Sequence, residues 1–251
     1  MIDIAIIIFG DGGELGSFKV FSDTLRDDLK NKYKKVVVKY VNRDYDFVSS
    51  LLNIPDKDEK IAELHIFCHA IGAGLFIGYK DHLISSERNR VYQTAEAAGR
   101  RVTYYEVVQV ESGGIQTDDL IMTPNFVTER DKLKKRFSSN GFIKIWGCNS
   151  GIDNWVYSDD GVTDPNDNSA AYYWRAFNEF NVPKPSIAQA FANYFKVNVF
   201  GASSGSSIQV FSKKNWISSK DYKKTVGHWP SGSLPHRLIP DKGGYHEFSP
   251  K

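Results

Sequence analysis

Cysteine is scarce in this chain: only Cys68 and Cys148 occur among its 251 residues. Two thiols cannot supply the disulfide framework that stabilises small secreted domains, and such sparing use suits a reducing compartment. One bond between them, across adjacent strands, is geometrically conceivable. We expect instead that at least one thiol stays free to react.

Net charge and long apolar runs are also limited. The 32 Lys and Arg residues and 30 Asp and Glu residues give a net charge of +2. This charge is too small to indicate binding to nucleic acid or to an anionic membrane. The longest apolar run near the start, residues 2–9, is too short to span a bilayer and lacks a preceding basic stretch. We therefore expect no membrane segment and no signal peptide, and a location in the cytoplasm or, for a delivered effector, in a target-cell cytosol.

The hydrophobic residues that are present form short runs rich in β-branched side chains. Amphipathic stretches separate these runs, which lie at residues 4–9, 36–41, 64–67 and 142–146. Such alternation predicts an α/β fold: a three-layer sandwich with a mainly parallel central sheet of about six strands and helices on both faces. The composition, 41% hydrophobic and 25% charged, is ordinary for a globular domain.

Apolar spacing predicts the helices between and after these strands. The first has Leu25, Leu29 and Tyr33 on one side and Ser22 as its N-cap. Further helices are predicted at residues 45–52, 128–137, 170–180 and 186–195. Residues 197–200 predict another strand, and residues 208–211 a final edge strand.

We expect one domain over residues 1–211, interrupted by an insertion at about 85–124 near the site. Within this insertion, residues 102–110 resemble a strand and residues 111–114 a turn. Residues 212–251 show no sustained period, so they predict an irregular extension. Its aromatic residues, Trp216, Trp229 and Tyr245, are expected to pack it onto the domain.

Three of the predicted strands end in residues that suit chemistry. The first ends in Gly10-Asp11-Gly12-Gly13, the third in Cys68-His69-Ala70 and the fourth in Gly147-Cys148-Asn149-Ser150-Gly151. Ligands gather at the carboxyl edge of parallel sheets, because the loops there are free to diverge. If the third and fourth strands are neighbours, a spacing of ~5 Å brings His69 and Cys148 together.

A cysteine and a histidine so placed form a nucleophile and its base. The thiolate attacks, and the imidazole both lowers the thiol pKa and protonates the leaving group. Backbone N–H groups of Ala70, or of the turn holding Gly147 and Asn149, are candidates to stabilise an oxyanion. The alternatives are a buried, inert Cys148 and a structural His69 hydrogen-bonded within its turn.

Other candidates fit less well. Cys68 is interpreted as a small buried hydrophobe, because neighbouring strand residues point to opposite faces and it cannot easily pair with His69. His228 or His236 is an alternative base or orienting group. Four acidic residues share one loop but lack the EF-hand spacing and closing Glu: Asp159, Asp160, Asp164 and Asp167. We therefore expect no metal, and a solvated loop or an acidic wall that selects basic substrates.

Two segments bring a known family into view. Residues 64–70, followed by Gly72, Gly74 and the apolar residues 75–78, resemble the strand and catalytic histidine of caspase-like (clan CD) cysteine peptidases. Residues 143–148 are similar to their strand ending in a small residue and the nucleophile. The resemblance covers residues 1–211 and rests on these short motifs.

The resemblance implies roles for particular residues. His69 would be the base and Cys148 the nucleophile, and residues 201–207, with Ser203 and Ser204, would lie near the specificity pocket. The chain departs from the family directly after the histidine, where the family usually has Gly and this sequence has Ala70. Alanine still supplies an N–H but restricts φ, which puts the placement of that oxyanion donor in doubt.

Two further motifs compete with this interpretation. The glycines of residues 10–16 suggest a dinucleotide-binding turn, but their spacing is wrong, and Asp11 and Glu14 would face phosphates with like charge. Residues 67–72 are laid out like a nucleophile elbow, but Ala70 occupies the nucleophile position. We therefore expect no cofactor.

The sequence thus predicts a cysteine peptidase that hydrolyses peptide bonds through a thioester acyl-enzyme, with a protein or peptide substrate. A deamidase or transferase would use the same Cys148 and His69 pair. A non-catalytic binding module on the same fold is the alternative from another class, favoured by Ala70 and by the long aromatic tail. The oligomeric state stays open.

Overall fold

A computed structural model describes residues 1–12, 18–72, 74–78, 93, 97–99, 113–153, 157–158, 161–162 and 185–251. The strands, in chain order, are β1 Ile2–Phe9, β2 Val36–Tyr40, β3 Glu59–Phe67, β4 His69–Ile71, β5 Gly74–Phe76, β6 Gly114–Gln116, β7 Phe137–Ile145, β8 Tyr157–Ser158, β9 Gly161–Val162, β10 Asn198–Ala202, β11 Ser206–Ser212, β12 Asn215–Ser218, β13 His236–Pro240 and β14 Tyr245–Phe248. The helices are α1 Lys19–Leu29, α2 Asp44–Asn53, α3 Asp119–Met122, α4 Pro124–Lys134, α5 Ile187–Phe195 and α6 Ser219–Val226.

The central sheet has six strands in the order β2-β1-β3-β7-β10-β14. The first five run parallel, and β14 pairs antiparallel with β10 at the edge. The α/β class and the mainly parallel sheet are therefore confirmed. The predicted adjacency of the third and fourth strands is also confirmed, because β3 pairs directly with β7.

Alternating side chains of the strands build two cores, one on each face of the sheet. Ile4, Ile6 and Ile8 pack with buried residues of α2, α4 and α5, whereas Ala5 and Ile7 pack with α1. Successive side chains of β1 point to opposite faces of the sheet, so these two groups of residues belong to different cores. Helices on both faces are consistent with a three-layer arrangement.

Two helix boundaries differ from the prediction. The helix α1 begins at Lys19, so Ser22 is not the N-cap but lies inside the first turn and donates its hydroxyl to the Phe18 carbonyl. The helix α4 begins at Pro124, whose fixed φ suits a first helical position, and ends at Lys134. Phe137 is therefore the start of β7, where it is buried, and not the end of a helix. The helices α2 and α5 lie where predicted.

The C-terminal 40 residues are regular, contrary to the prediction of an irregular extension. They contain β12, α6, β13 and β14, joined by short turns. The strand β11 is not the edge of the main sheet but the centre of a separate antiparallel sheet, β12-β11-β13. Trp229, which was predicted to pack the C-terminal segment onto the domain, is 55% exposed and does not do so. Four- and five-residue strands are too short for a periodic pattern to show in the sequence.

Candidate functional site

Three strand ends meet at one edge of the sheet, because β1, β3 and β7 are adjacent and parallel. The loops after β3 and β7 touch through Gly147. An added Cβ at Gly147 would lie 2.4 Å from the Ala70 Cβ and 2.8 Å from the Cys68 carbonyl oxygen. The loops that carry His69 and Cys148 are therefore in backbone contact, on the same rim.

The last strand residues show which face each side chain takes. Phe67 and Trp146 stack with ring centroids 5.1 Å apart and planes 8° from parallel. Both belong to the core on the α1 face. His69 and Cys148 follow them by two residues each, beyond the ends of β3 and β7.

His69 is held by elements on the α1 side. Its Nε2 lies 3.3 Å from the Gly12 carbonyl oxygen, at the end of β1, and its ring meets Phe18 edge-on at 5.3 Å. A carbonyl oxygen only accepts, so Nε2 carries the proton of the neutral ring and the lone pair is on Nδ1. The ring is half-buried.

The two thiols lie in contrasting surroundings. Both are reduced; Cys68 is fully buried and Cys148 half-buried. Burial raises the pKa of the Cys68 thiol far above its usual range, and the nearby Cys148 raises it further. Cys68 therefore stays protonated among the apolar residues of the α2 side and is an inert thiol.

The turn after Cys148 is fixed by hydrogen bonds. Asn149 has a left-handed φ of 57° and donates its backbone N–H to the Ser204 carbonyl at 2.9 Å. That backbone N–H is thus engaged in holding the turn, so it is not a backbone donor for an oxyanion. Its side-chain Oδ1 is buried without a partner among the described residues. A strained residue directly after a candidate nucleophile is typical of functional turns.

The remaining predicted site residues divide into structural and accessible ones. Ser204 is buried and its hydroxyl bonds with the Lys242 backbone, so it ties the loop after β10 to the tail. Ser203 is exposed on the same loop. Ala70 is buried in β4, opposite Leu75, and abuts Gly147. Of these three residues, Ser203 alone presents its side chain to solvent.

Sequence reasoning missed Tyr245 as a site residue. The edge strand β14 brings its ring edge-on to Trp146 at 5.3 Å. Its hydroxyl is buried without a hydrogen-bond partner among the described residues. Burial raises the pKa of Tyr245, and negative charge on the nearby Cys148 raises it further. The phenol therefore stays neutral and keeps its proton. Only the pairing of β14 reveals this, because the two residues are remote in sequence.

A polar network lies under the site on the α1 face. Trp146 donates its Nε1 proton to His65 Nδ1 at 3.3 Å, and His65 Nε2 donates to Glu63 at 2.8 Å. Burial opposes ionisation of Glu63, but hydrogen bonds from His65, Lys32 and Tyr33 outweigh it and lower its pKa to about 2. The network fixes the indole that precedes Gly147 and Cys148.

The alternative histidines lie elsewhere. His236 is buried behind Phe21 with Nδ1 2.6 Å from the Leu234 carbonyl, and His228 is exposed beside Tyr222. The predicted helix at 170–180, the strand at 102–110, Glu14 and the four loop aspartates lie outside the described residues. Among the residues that the structure describes, no cluster of three or more His, Cys, Asp or Glu could hold a metal ion.

No family model, curated protein or solved structure matches the chain. In the described ranges, no helix is both long and apolar enough to traverse a bilayer.

Proposed function

We propose that the protein is a cysteine peptidase of the caspase-like kind, with Cys148 as nucleophile and His69 as base. The observation that carries this proposal is the contact of two loops at one sheet edge. One loop holds an imidazole whose Nε2 is fixed on a carbonyl, and the other a half-buried thiol in a strained turn.

The proposed reaction follows from which of these groups can give a proton and which can accept one. His69 Nδ1 takes the thiol proton, and the Cys148 sulfur attacks the carbonyl carbon of a peptide bond. As the tetrahedral intermediate collapses, the imidazolium gives its proton to the departing amine and a thioester remains. Water, deprotonated by the imidazole, then attacks the thioester and releases the acid and the thiol.

Neighbouring groups support this cycle. The neutral Tyr245 hydroxyl has no hydrogen-bond partner among the described residues, and it would favour the thiolate form on turning to donate to the sulfur. The backbone N–H groups of Ala70 and Gly147, two residues in contact, remain candidates for oxyanion donors. A reducing cytosol, that of the producing cell or of a target cell, would keep Cys148 as a thiol.

The second candidate is a non-catalytic binding module, and one observation favours it. Ala70 is buried against Gly147 in a three-residue strand, which constrains the backbone where the family has a glycine. A deamidase or transferase remains a variant of the first proposal, since it needs the same pair. The products distinguish these enzymes, because only a peptidase releases shortened peptides.

The test uses a mixed peptide library with the wild-type protein, Cys148→Ala and Cys68→Ala. We expect wild type to shorten peptides and Cys148→Ala to lose at least about a thousandfold in rate, since the nucleophile is gone. Cys68→Ala is the matched control and should keep the activity in proportion to its folded fraction. Equal cleavage by wild type and Cys148→Ala would contradict the proposal.

A further inference from the structure

A cavity of about 900 Å³ lies between α1 and the small C-terminal sheet. Its walls are the first turns of α1, the start of β11, the start of α6 and the loop that follows α6. Four serines contribute to its lining, and the hydroxyl of one of them, Ser206, is buried without a partner among the described residues. The other lining residues that matter for its chemistry are six: Phe21, Ile208, Lys220, Trp229, His236 and Asp241. Four of these six belong to residues 212–251, beyond the segment that resembles the caspase-like family.

Both walls of this cavity are connected to the candidate site. On one side the rings run in contact from His69 to Phe18 at 5.3 Å and from Phe18 to Phe21 at 6.1 Å. On the other side Asn149 donates to the Ser204 carbonyl, and Asp241 donates its backbone N–H to the Gly205 carbonyl. Two ring contacts therefore separate His69 from the cavity wall, a span of about three extended residues that one bound peptide can cover.

The cavity is uncharged where it is buried. Phe21 is 5% exposed and His236 8% exposed. Burial lowers the pKa of His236, although its hydrogen bond to the Leu234 carbonyl opposes this, so the ring is neutral near pH 7. The two charged side chains, Lys220 and Asp241, are exposed at the surface, where Asp241 accepts a hydrogen bond from Ser207 at 2.5 Å.

This distribution of charge decides which side chains would bind. A charged side chain in the buried part would lose its water without gaining a counter-charge, which costs several kcal/mol. Aliphatic and aromatic side chains gain from burial there, against Phe21 and Ile208. The volume exceeds what one side chain needs and is typical of pockets that enclose a drug-sized ligand, so it accommodates two or three residues.

We propose that this cavity binds the uncharged, apolar residues of the peptide substrate next to the scissile bond. The enzyme would then cleave beside large aliphatic or aromatic side chains and discriminate against acidic and basic ones. This inference rests on the proposed peptidase function. It differs from the sequence-based idea of an acidic wall that selects basic substrates.

The test is covalent labelling of Cys148 by peptidyl chloromethyl ketones that share one scaffold and carry Leu, Phe, Asp or Lys beside the reactive group. Each rate is divided by the iodoacetamide rate, which reports thiol reactivity alone. We expect the Leu and Phe reagents to react at least about tenfold faster than the Asp and Lys reagents. Equal rates, or faster reaction of a charged reagent, would overturn the cavity proposal.

Two variants locate the effect. Trp229→Ala removes an aromatic from the cavity rim and should lower the apolar preference about threefold while leaving the iodoacetamide rate unchanged. Tyr45→Ala is the matched control, because Tyr45 is 54% exposed against 55% for Trp229 and lies on α2, outside the cavity lining. An unchanged preference in Trp229→Ala would contradict the assignment.

Binding to Cys148→Ala separates the two proposals. Calorimetry with the corresponding Leu, Phe, Asp and Lys peptides measures the cavity without any chemistry at the sulfur. Tighter binding of the Leu and Phe peptides supports the cavity even if Cys148 proves unreactive, in which case the peptidase proposal alone fails. Equal affinities with a reactive Cys148 contradict the cavity and leave the peptidase proposal standing.

Discussion

At the edge of the central sheet where the parallel strands end, its two faces carry different kinds of side chain. On the face covered by α2, α4 and α5, the core is apolar and closes over Cys68. On the α1 face, β3 carries Glu63 and His65, and the chain continues to His69 beside the Cys148 loop. Cys68 and His69 are neighbours in the sequence, yet they lie in different surroundings. Cys68 is an inert thiol in the apolar core, whereas His69 lies on the α1 side, which also carries the polar residues Glu63 and His65.

The contact between the two loops is the first place to break this arrangement. In Gly147→Ala, the new Cβ would meet the Ala70 Cβ at 2.4 Å and the Cys68 carbonyl at 2.8 Å. Backbone and a short side chain cannot move away cheaply, so we expect a loss of about 3 kcal/mol in the free energy of unfolding, measured in urea.

Gly232→Ala serves as the control for that experiment. Its added Cβ would meet only the Val20 Cγ2, at 3.4 Å, which is ordinary contact. We expect a change within about 0.5 kcal/mol. If Gly147→Ala proved as stable as this control, the loops would not be in the close contact on which the site depends.

Disrupting the polar network on the α1 face should lower the free energy of unfolding by less than Gly147→Ala does. Glu63→Gln removes the charge that accepts from His65, Lys32 and Tyr33, and we expect a loss of about 2 kcal/mol at pH 7. The pKa of Glu63 is lowered to about 2 from 4.5, so its contribution is full above pH 4.5 and is lost as pH falls towards 2.

Stability curves between pH 2 and pH 7 measure this contribution. The difference between wild type and Glu63→Gln should shrink as the pH falls through this window. Glu129→Gln, which breaks a surface pair with Lys132, is the control and should change stability by less than about 1 kcal/mol. A pH-independent difference for Glu63→Gln would contradict the ionised network.

The smallest expected effect concerns Tyr245. Tyr245→Phe keeps the ring against Trp146 but removes the hydroxyl near Cys148. We expect the Cys148 thiol pKa to rise and its alkylation at neutral pH to slow about threefold. Tyr194→Phe, which loses a hydroxyl bonded to the Phe126 carbonyl on the opposite face, should leave the rate unchanged. Equal rates in Tyr245→Phe and wild type would remove Tyr245 from the site.

The sequence predicts the parallel part of this fold well for a physical reason. Strands buried on both faces are continuous apolar runs, and β1 shows this plainly. Their carboxyl ends share an edge by geometry alone, which places His69 and Cys148 on one rim. The same reasoning places Cys68 on the opposite face from His69, where the structure has it in the apolar core.

Other features depend on pairings that no local pattern encodes. The strand β14 joins the main sheet through residues that look irregular in sequence, so neither Tyr245 nor the cavity could be predicted. The backbone N–H of Asn149 is engaged by Ser204, 55 residues further along the chain. Ser22 resembles an N-cap, but the tertiary packing of Phe18 starts the helix earlier.

The most direct test of the account is the pH profile of Cys148 alkylation in wild type and in His69→Gln, with the modified thiol identified by mass. If the imidazole serves the thiol, the wild-type pKa lies well below the ordinary value of about 8.5, and His69→Gln moves it back towards that value. The same profile in both proteins, with an ordinary thiol pKa, would contradict the pairing of His69 with Cys148.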